Sequence, residues 1–370
     1  MKFAAPELLR ELASSPRFTG SKRESSARER CASILRESGF DVRETAFELS
    51  EFPARAAPPM MALILGATAI GMGALAAAAQ YQMALILGIT VATSLSVLGR
   101  LLSRDAVLDF PWMRNSSTNL VAERQATRPA IWLVAHLDSK SQTIPMLVRI
   151  GSAAASAVLF ALTVIVILAQ AIAGVFHASA ALVLGLLTAA ALLPIMVCFI
   201  GNRSNGALDN ASGVVSILAA ADLLRDRNVG VLIASGEELG LAGARAFVRS
   251  HAETGIAINC DTIDDAGKFL CMRSGRSARS LESAIERAVA RTELGAMRGR
   301  PGRRISRMLP GVLADNIAFT EAGWESFTLS RGNLRTLSRV HTDKDRADAM
   351  DGTGIAQAAA LIAAIVEELS

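Results

Sequence analysis

Polar and apolar positions alternate along most of this chain at the periods of helices and strands, but in two long blocks the charges vanish. At the start, apolar spacing over Pro6–Leu12 and Glu24–Glu37 predicts two helices, with a turn at Pro16–Ser21 between them and Gly39 as a stop. Phe40–Leu49 (FDVRETAFEL) alternates at period two and predicts a strand. The uncharged runs MMALILGATAIGMGALAAAA and MALILGITVATSLSVLG follow within Ala57–Leu102, on either side of Gln80–Tyr81–Gln82. Each is about 20 residues, enough to cross a bilayer as a helix. Pro58 and Pro59 fall where a helix start tolerates proline. A second block, Gly151–Ile172 and Ala178–Ile200, is joined by a turn containing His177 and also lacks Asp, Glu, Lys and Arg. The expectation is four transmembrane helices in two hairpins, because tandem uncharged runs are hard to bury on every side of a soluble protein.

Between and after these blocks the soluble pattern returns. Three apolar runs, Ala130–Ala135 (AIWLVA), Val229–Ala234 (VGVLIA) and Gly255–Cys260 (GIAINC), read as buried strands. Helical spacing covers the stretch up to Leu224, Leu239–Val248, Ser280–Arg291, Ala314–Ala322 and Gly354–Leu369, and a further strand is expected near Glu325–Ser330. Strands alternating with helices predict an α/β fold with a mixed sheet in three layers. The expected organisation is a soluble domain in three pieces, 1–56, 104–147 and 202–370, interrupted by hairpins at 57–103 and 148–201.

Composition sharpens this picture. Apolar residues make up 51% of the chain and the mean hydropathy is +0.37, too apolar for an ordinary soluble enzyme. Cys31, Cys198, Cys260 and Cys271 lack zinc-finger or CxxC spacing, so a disulfide framework is not expected. The opening MKFAAPELLRELASS carries charges where a cleavable signal needs an apolar core. Arg55, Arg100, Arg104, Arg149 and Arg203 flank the hairpins at one end, whereas the tips carry no Lys or Arg. The positive-inside rule therefore places the soluble body in the cytoplasm of a multi-pass membrane protein. Arg298–Arg307 (RGRPGRRISR) reads as a mobile loop, either solvated or a flap that meets anionic groups. Without interleaved aromatics it does not suggest nucleic-acid binding.

Candidate chemistry sits where the strands stop. Val229–Ala234 runs into Gly236 and the adjacent acids Glu237 and Glu238. A solvated turn ahead of a helix would account for that pair alone. Yet Ala130–Ala135 ends in His136-x-Asp138 and Gly255–Cys260 ends in Asp261, and ligands of open α/β sheets bind at the carboxyl ends of strands. Asp209 and His341 lie in turns able to reach the same edge. Two imidazoles and three or four carboxylates, without cysteine, suit Zn²⁺, Mn²⁺ or Co²⁺. With one carboxylate bridging, they suffice for two ions.

In order, HLDS at His136, GALDNASG around Asp209, GEELGLAG around Glu237, NCDTID around Asp261 and HTDKD at His341 resemble the co-catalytic zinc aminopeptidases of metallopeptidase family 28. That family also includes glutamate carboxypeptidase and glutaminyl-cyclase relatives, and PRFTGS at Pro16–Ser21 resembles its amino-terminal segment. The resemblance implies two divalent metal ions, with Zn²⁺ first in line. Asp209 would bridge them, His136 and Asp261 would complete one site, and Glu238 and His341 the other. It implies that Asp138 orients His136 and that Glu237 is the general base, passing a proton from water to the leaving amine. The expected activity is removal of amino-terminal residues from short peptides by a lipid-embedded enzyme. Glutaminyl-cyclase-like acyl transfer and a non-catalytic scaffold are the alternatives. Three features depart from relatives. His136 and Asp209 are 73 positions apart, the single tyrosine (Tyr81) lies at a hairpin tip, and Ala314–Asp315–Asn316 replaces a frequent Ser-Asp-His.

Overall fold

The computed structural model describes residues 3–104, 106–124, 128–175, 177–251, 253–275, 279–292, 305–308 and 312–369. The chain divides into two compact units: residues 1–49, 114–141 and 202–370 form one, and residues 50–113 and 142–201 the other.

The first unit is built on an eight-stranded mixed sheet. Its strands are β1 (Asp41–Ser50), β2 (Arg114–Glu123), β3 (Ile131–His136), β4 (Val229–Ala234), β5 (Ile256–Ile263), β6 (Lys268–Arg273), β7 (Ile305–Arg307) and β8 (Glu325–Gly332), in spatial order β1-β2-β4-β3-β5-β8-β6-β7. The middle four, β4, β3, β5 and β8, run parallel. β3 and β4 are buried at every position, which explains their continuous apolar text. Successive side chains point to opposite faces. Trp132 and Val134 of β3 pack with Phe247, Phe319 and Trp324 on one side. On the other, helix Ser212–Leu223, almost entirely buried, lies between the sheet and helix Thr353–Leu369. Three strands of the sheet were not foreseen from sequence: β2 and β6, whose interrupted alternation hides their period, and β7, which falls in the stretch read as a mobile loop. The helix expected from Leu239 begins only at Ala242, because a short 3₁₀ turn occupies Glu237–Leu239. Of the arginine-dense stretch Arg298–Arg307, only 305–307 is among the described residues. Those three form β7, parallel to β6.

The second unit consists chiefly of four apolar helices: α1 (Ala57–Ala77), α2 (Tyr81–Leu102), α3 (Met146–Ala173) and α4 (Ala180–Met196). Glycine lets backbones close up. A Cβ on Gly73 of α1 would lie 2.4 Å from Leu182 Cα of α4, and one on Gly185 would lie 2.3 Å from the Ala69 carbonyl oxygen. The expectation of four spans is corrected. Among the described residues three helices, α1 to α3, have the length and apolarity to cross a membrane. The fourth expected segment, Ala178–Ile200, is helical for only 17 residues, with Pro194 in its last turn and extended backbone at Ile200–Gly201. Proline breaks the hydrogen-bond ladder there.

Candidate metal centre

Strand register brings the distant motifs together. His136 at the end of β3 pairs with Ala234 of β4. Val134 pairs with Asn259 of β5, so two residues further on Asp261 draws level with His136. Past Ala234 the chain reverses at Gly236, whose φ of +71° favours glycine, and delivers Glu237 and Glu238 to the same edge. Asp209 comes from the irregular turn before helix Ser212–Leu223. Its backbone is held by Asp345, which accepts the Leu208 N–H at 2.6 Å and the Asp209 N–H at 3.2 Å. His341 follows helix Leu334–Arg339 with φ +62°, a conformation that non-glycine residues rarely adopt.

All seven residues singled out from sequence converge. His136 Nε2 lies 3.1 Å from one Asp209 oxygen and 3.8 Å from Asp261. The other Asp209 oxygen lies 3.0 Å from His341 Nε2, which is 3.3 Å from Glu238. The result is two triads, His136–Asp209–Asp261 and Asp209–Glu238–His341, each with candidate ligand atoms within 4.8 Å of one another and Asp209 common to both. Glu237 belongs to neither triad but stands 3.8 Å from His136 Nε2. Asp138 does more than face an imidazole. Its carboxylate lies 3.5 Å from His136 Nδ1 while its backbone carbonyl is nearer, at 3.1 Å. The same carboxylate accepts the N–H groups of Glu237 and Glu238, each at 3.2 Å, and the Thr19 hydroxyl at 2.8 Å.

Electrostatics make the cluster a cation site. Five buried carboxylates (Asp138, Asp209, Glu237, Glu238 and Asp315) and the partly buried Asp261 face two imidazoles and the Lys140 ammonium, which lies 2.5 Å from Glu238. Burying that many like charges is expensive unless cations neutralise them. Burial, together with Glu238, Asp261 and Asp315 nearby, pushes Glu237 well above the usual carboxylate range despite His136. Burial likewise lifts Asp315 to about 7. At His136 burial favours the neutral ring, but Glu237, Asp138, Asp209 and Asp261 overcome it and raise the pKa. His136 Nε2 and Glu238 Oε1, both buried, make no hydrogen bond. A bound divalent cation would supply what these orphaned atoms and surplus charges lack, so the residues fit a metal of the kind that the motifs implied.

Five further contributors were not assigned roles from sequence. Thr19 and Arg17 come from the Pro16–Ser21 turn. Arg17, wholly buried, donates to the carbonyls of Leu137 at 2.9 Å and Gly206 at 3.0 Å, tying the turns that carry Asp138 and Asp209. Lys140 stands in HLDSK and Asp345 in HTDKD, so both signals were adjacent to motifs already noted. Asp315, noted only as a departure from relatives, has both carboxylate oxygens buried without a hydrogen bond.

A mixed α/β sheet with a carboxylate–imidazole cage at the ends of its parallel strands defines a metal-dependent hydrolase class. Residues 192–366 match the profile of peptidase family M28. No curated protein sequence matches the chain. Solved structures with the same fold include BSAP, a zinc aminopeptidase from Bacillus subtilis (TM-score 0.58, 14% identity, 98% of this chain and 94% of that one). They also include an aminopeptidase from Aneurinibacillus sp. strain AM-1 (0.57, 13%, 99% and 93%) and a glutaminyl cyclase from Porphyromonas gingivalis (0.56, 13%, 99% and 97%). Residues 192–366 thus carry the sequence profile of peptidase family M28, in a first unit that shares the fold of these enzymes.

Proposed function

We propose that the chain is a membrane-attached, two-metal aminopeptidase that removes amino-terminal residues from short peptides. The observation that carries this reading is the pair of triads sharing Asp209, with the unshared carboxylate Glu237 beside them. His136, Asp209 and Asp261 would hold one divalent ion, and Asp209, Glu238 and His341 the other, with Zn²⁺ the ion that the donor set suits best. When bound, the metals supply Lewis acidity that activates water and polarises the scissile carbonyl.

The rest falls to the chain's own residues. Glu237 is outside both triads yet buried beside them, 3.8 Å from His136 Nε2, the placement of a group that takes a proton from the attacking water and returns it to the leaving amine. Asp138 is a positioning residue. By gripping the Glu237 and Glu238 N–H groups while bordering the His136 ring, it fixes the base and a ligand of each triad in one frame. The second unit would anchor the enzyme in the bilayer through α1 to α3. Arginines at one end of these helices and none at the tips favour a cytoplasmic soluble unit.

The test is metal analysis of purified protein together with hydrolysis of aminoacyl amides, with and without chelator. Amide hydrolysis lost on chelation and restored by Zn²⁺ supports the reading. A protein that hydrolyses no amide with its metals in place refutes it. Protease protection of the soluble unit in inside-out vesicles would overturn the orientation. A second reading, aminoacyl transfer that cyclises amino-terminal glutamine, rests on the glutaminyl cyclases among the structural neighbours and on HLDSK at His136. Product analysis with a Gln-initiated peptide separates the two.

A further inference from the structure

The second unit has an aromatic cluster that neither the metal centre nor helix packing accounts for. Phe52 stacks on Phe110 with ring centroids 4.9 Å apart, and Trp112 meets both rings edge-on at 5.5 and 5.3 Å. Trp112 is 61% exposed and the adjoining Met113 43%. These residues sit immediately before α1 and shortly after α2, and the two chain passages are fastened to each other. The Ser50 hydroxyl donates to the Trp112 carbonyl at 2.6 Å, and the Glu51 N–H donates to the Met113 carbonyl at 3.0 Å. The rings thus stand as a fixed group at the mouth of a helical hairpin. At its opposite end, Tyr81 opens α2. Between them α1 runs 21 residues, about 30 Å at 1.5 Å per residue, which matches the hydrocarbon thickness of a bilayer.

We infer that Phe52, Phe110 and Trp112 form an interfacial anchor that seats the hairpin at the headgroup boundary of the bilayer, with Trp112 as the lipid-contacting residue. The inference rests on reading this unit as membrane-embedded and adds where the water boundary falls. Aromatic rings with one polar edge favour that boundary, where the apolar face meets acyl chains and the indole N–H reaches water. Charge identifies the lipid. Between Ser50 and Met113, Arg55, Arg100 and Arg104 balance Glu51, Asp105 and Asp109. Arg55 is further engaged by Glu51 at 2.5 Å. A neutral collar has no need of anionic headgroups, so the anchor seats in phosphatidylcholine as well as in acidic lipid.

Tryptophan fluorescence tests this directly, because the other two tryptophans, Trp132 and Trp324, are buried in the first unit. Full-length protein and Trp112→Phe are reconstituted into phosphatidylcholine vesicles brominated at the 6,7 or the 11,12 acyl positions. The expected result is quenching in the parent that is stronger with 6,7-bromines and absent in Trp112→Phe. Phe52→Trp in the Trp112→Phe background should restore it, which guards against a folding defect in the single variant. Equal emission of the parent in brominated and unbrominated lipid, from protein that resists alkaline extraction, overturns the anchor and leaves membrane embedding intact. Stronger quenching by 11,12-bromines also overturns it, because the ring would then lie in the hydrocarbon core. Extraction of the protein by alkali removes the membrane reading itself and the anchor with it.

Discussion

The two units of this chain are built inside out with respect to each other. In the first, large apolar side chains fill the interior and the sheet edge holds five buried carboxylates beside the partly buried Asp261. In the second, large apolar side chains are outside. Ile86 is 61% exposed and Ile172 83%, while the packed interior is lined by Gly73, Ala69, Ala181, Gly185 and Thr188. A water-solvated unit gains by removing apolar area from solvent. A unit in lipid would gain nothing that way, and its helices would associate through close backbone approach at small residues. Solvent, more than the apolar content of either unit, decides which side chains face inward.

That contrast can be broken at its strongest points. Glu237→Gln should lower the catalytic rate by about 10²–10⁴-fold, the usual range for loss of a general base, while metal content stays at the parent level. Near-parental turnover in a metal-replete variant would remove Glu237 from that role.

Next in size is a pH effect that only the first unit should show. Glu24 is buried, and burial with Asp138 nearby lifts it to about 7 from an ordinary 4.5. Ser117 and the Gly20 N–H donate to its carboxylate, the latter at 2.6 Å. An acid whose folded pKa exceeds its unfolded one binds its proton more tightly when folded. The stabilisation is therefore complete below pH 4.5 and is lost as pH rises through about 7. A shift of that size corresponds to about 3 kcal/mol. The stability of the parent relative to Glu24→Gln, followed by thermal denaturation from pH 4.5 to 8, should fall by that order as the pH rises. A difference independent of pH would show that Glu24 does not titrate in this window.

The packing rule of the second unit is tested by Gly73→Leu, whose first side-chain carbon already meets the Leu182 backbone. Overpacking of this kind costs about 1–3 kcal/mol, readable as a lower melting temperature in detergent. An unchanged melting temperature would show that α1 and α4 are not pressed together at that point. The smallest effect is expected at the lipid-facing surface. Ile86→Ala, on the exposed face of α2, should change stability by no more than about 0.5 kcal/mol. A loss comparable to that of a core isoleucine would mean that this face is covered by protein.

Sequence alone settled much of this architecture. Uninterrupted apolar runs announced β3 and β4, and uncharged stretches announced the apolar helices, because burial on both faces and immersion in lipid each leave a compositional signature that needs no tertiary information. The five motifs also identified residues that come to lie within a few ångströms of one another. Other features depended on the fold. β2 and β6 escaped notice because their partners, and not their own alternation, hold them in the sheet. The fourth apolar segment looked long enough to span, but Pro194 and the extended chain after Met196 limit it to 17 residues. The partition of Asp138 among His136, Glu237 and Glu238, the wholly buried Arg17 and the ion pair of Lys140 with Glu238 were likewise invisible. A hydrogen bond depends on distance and angle between groups that, for Arg17, lie 120 and 189 residues apart, and only strand register and turn geometry fix those quantities.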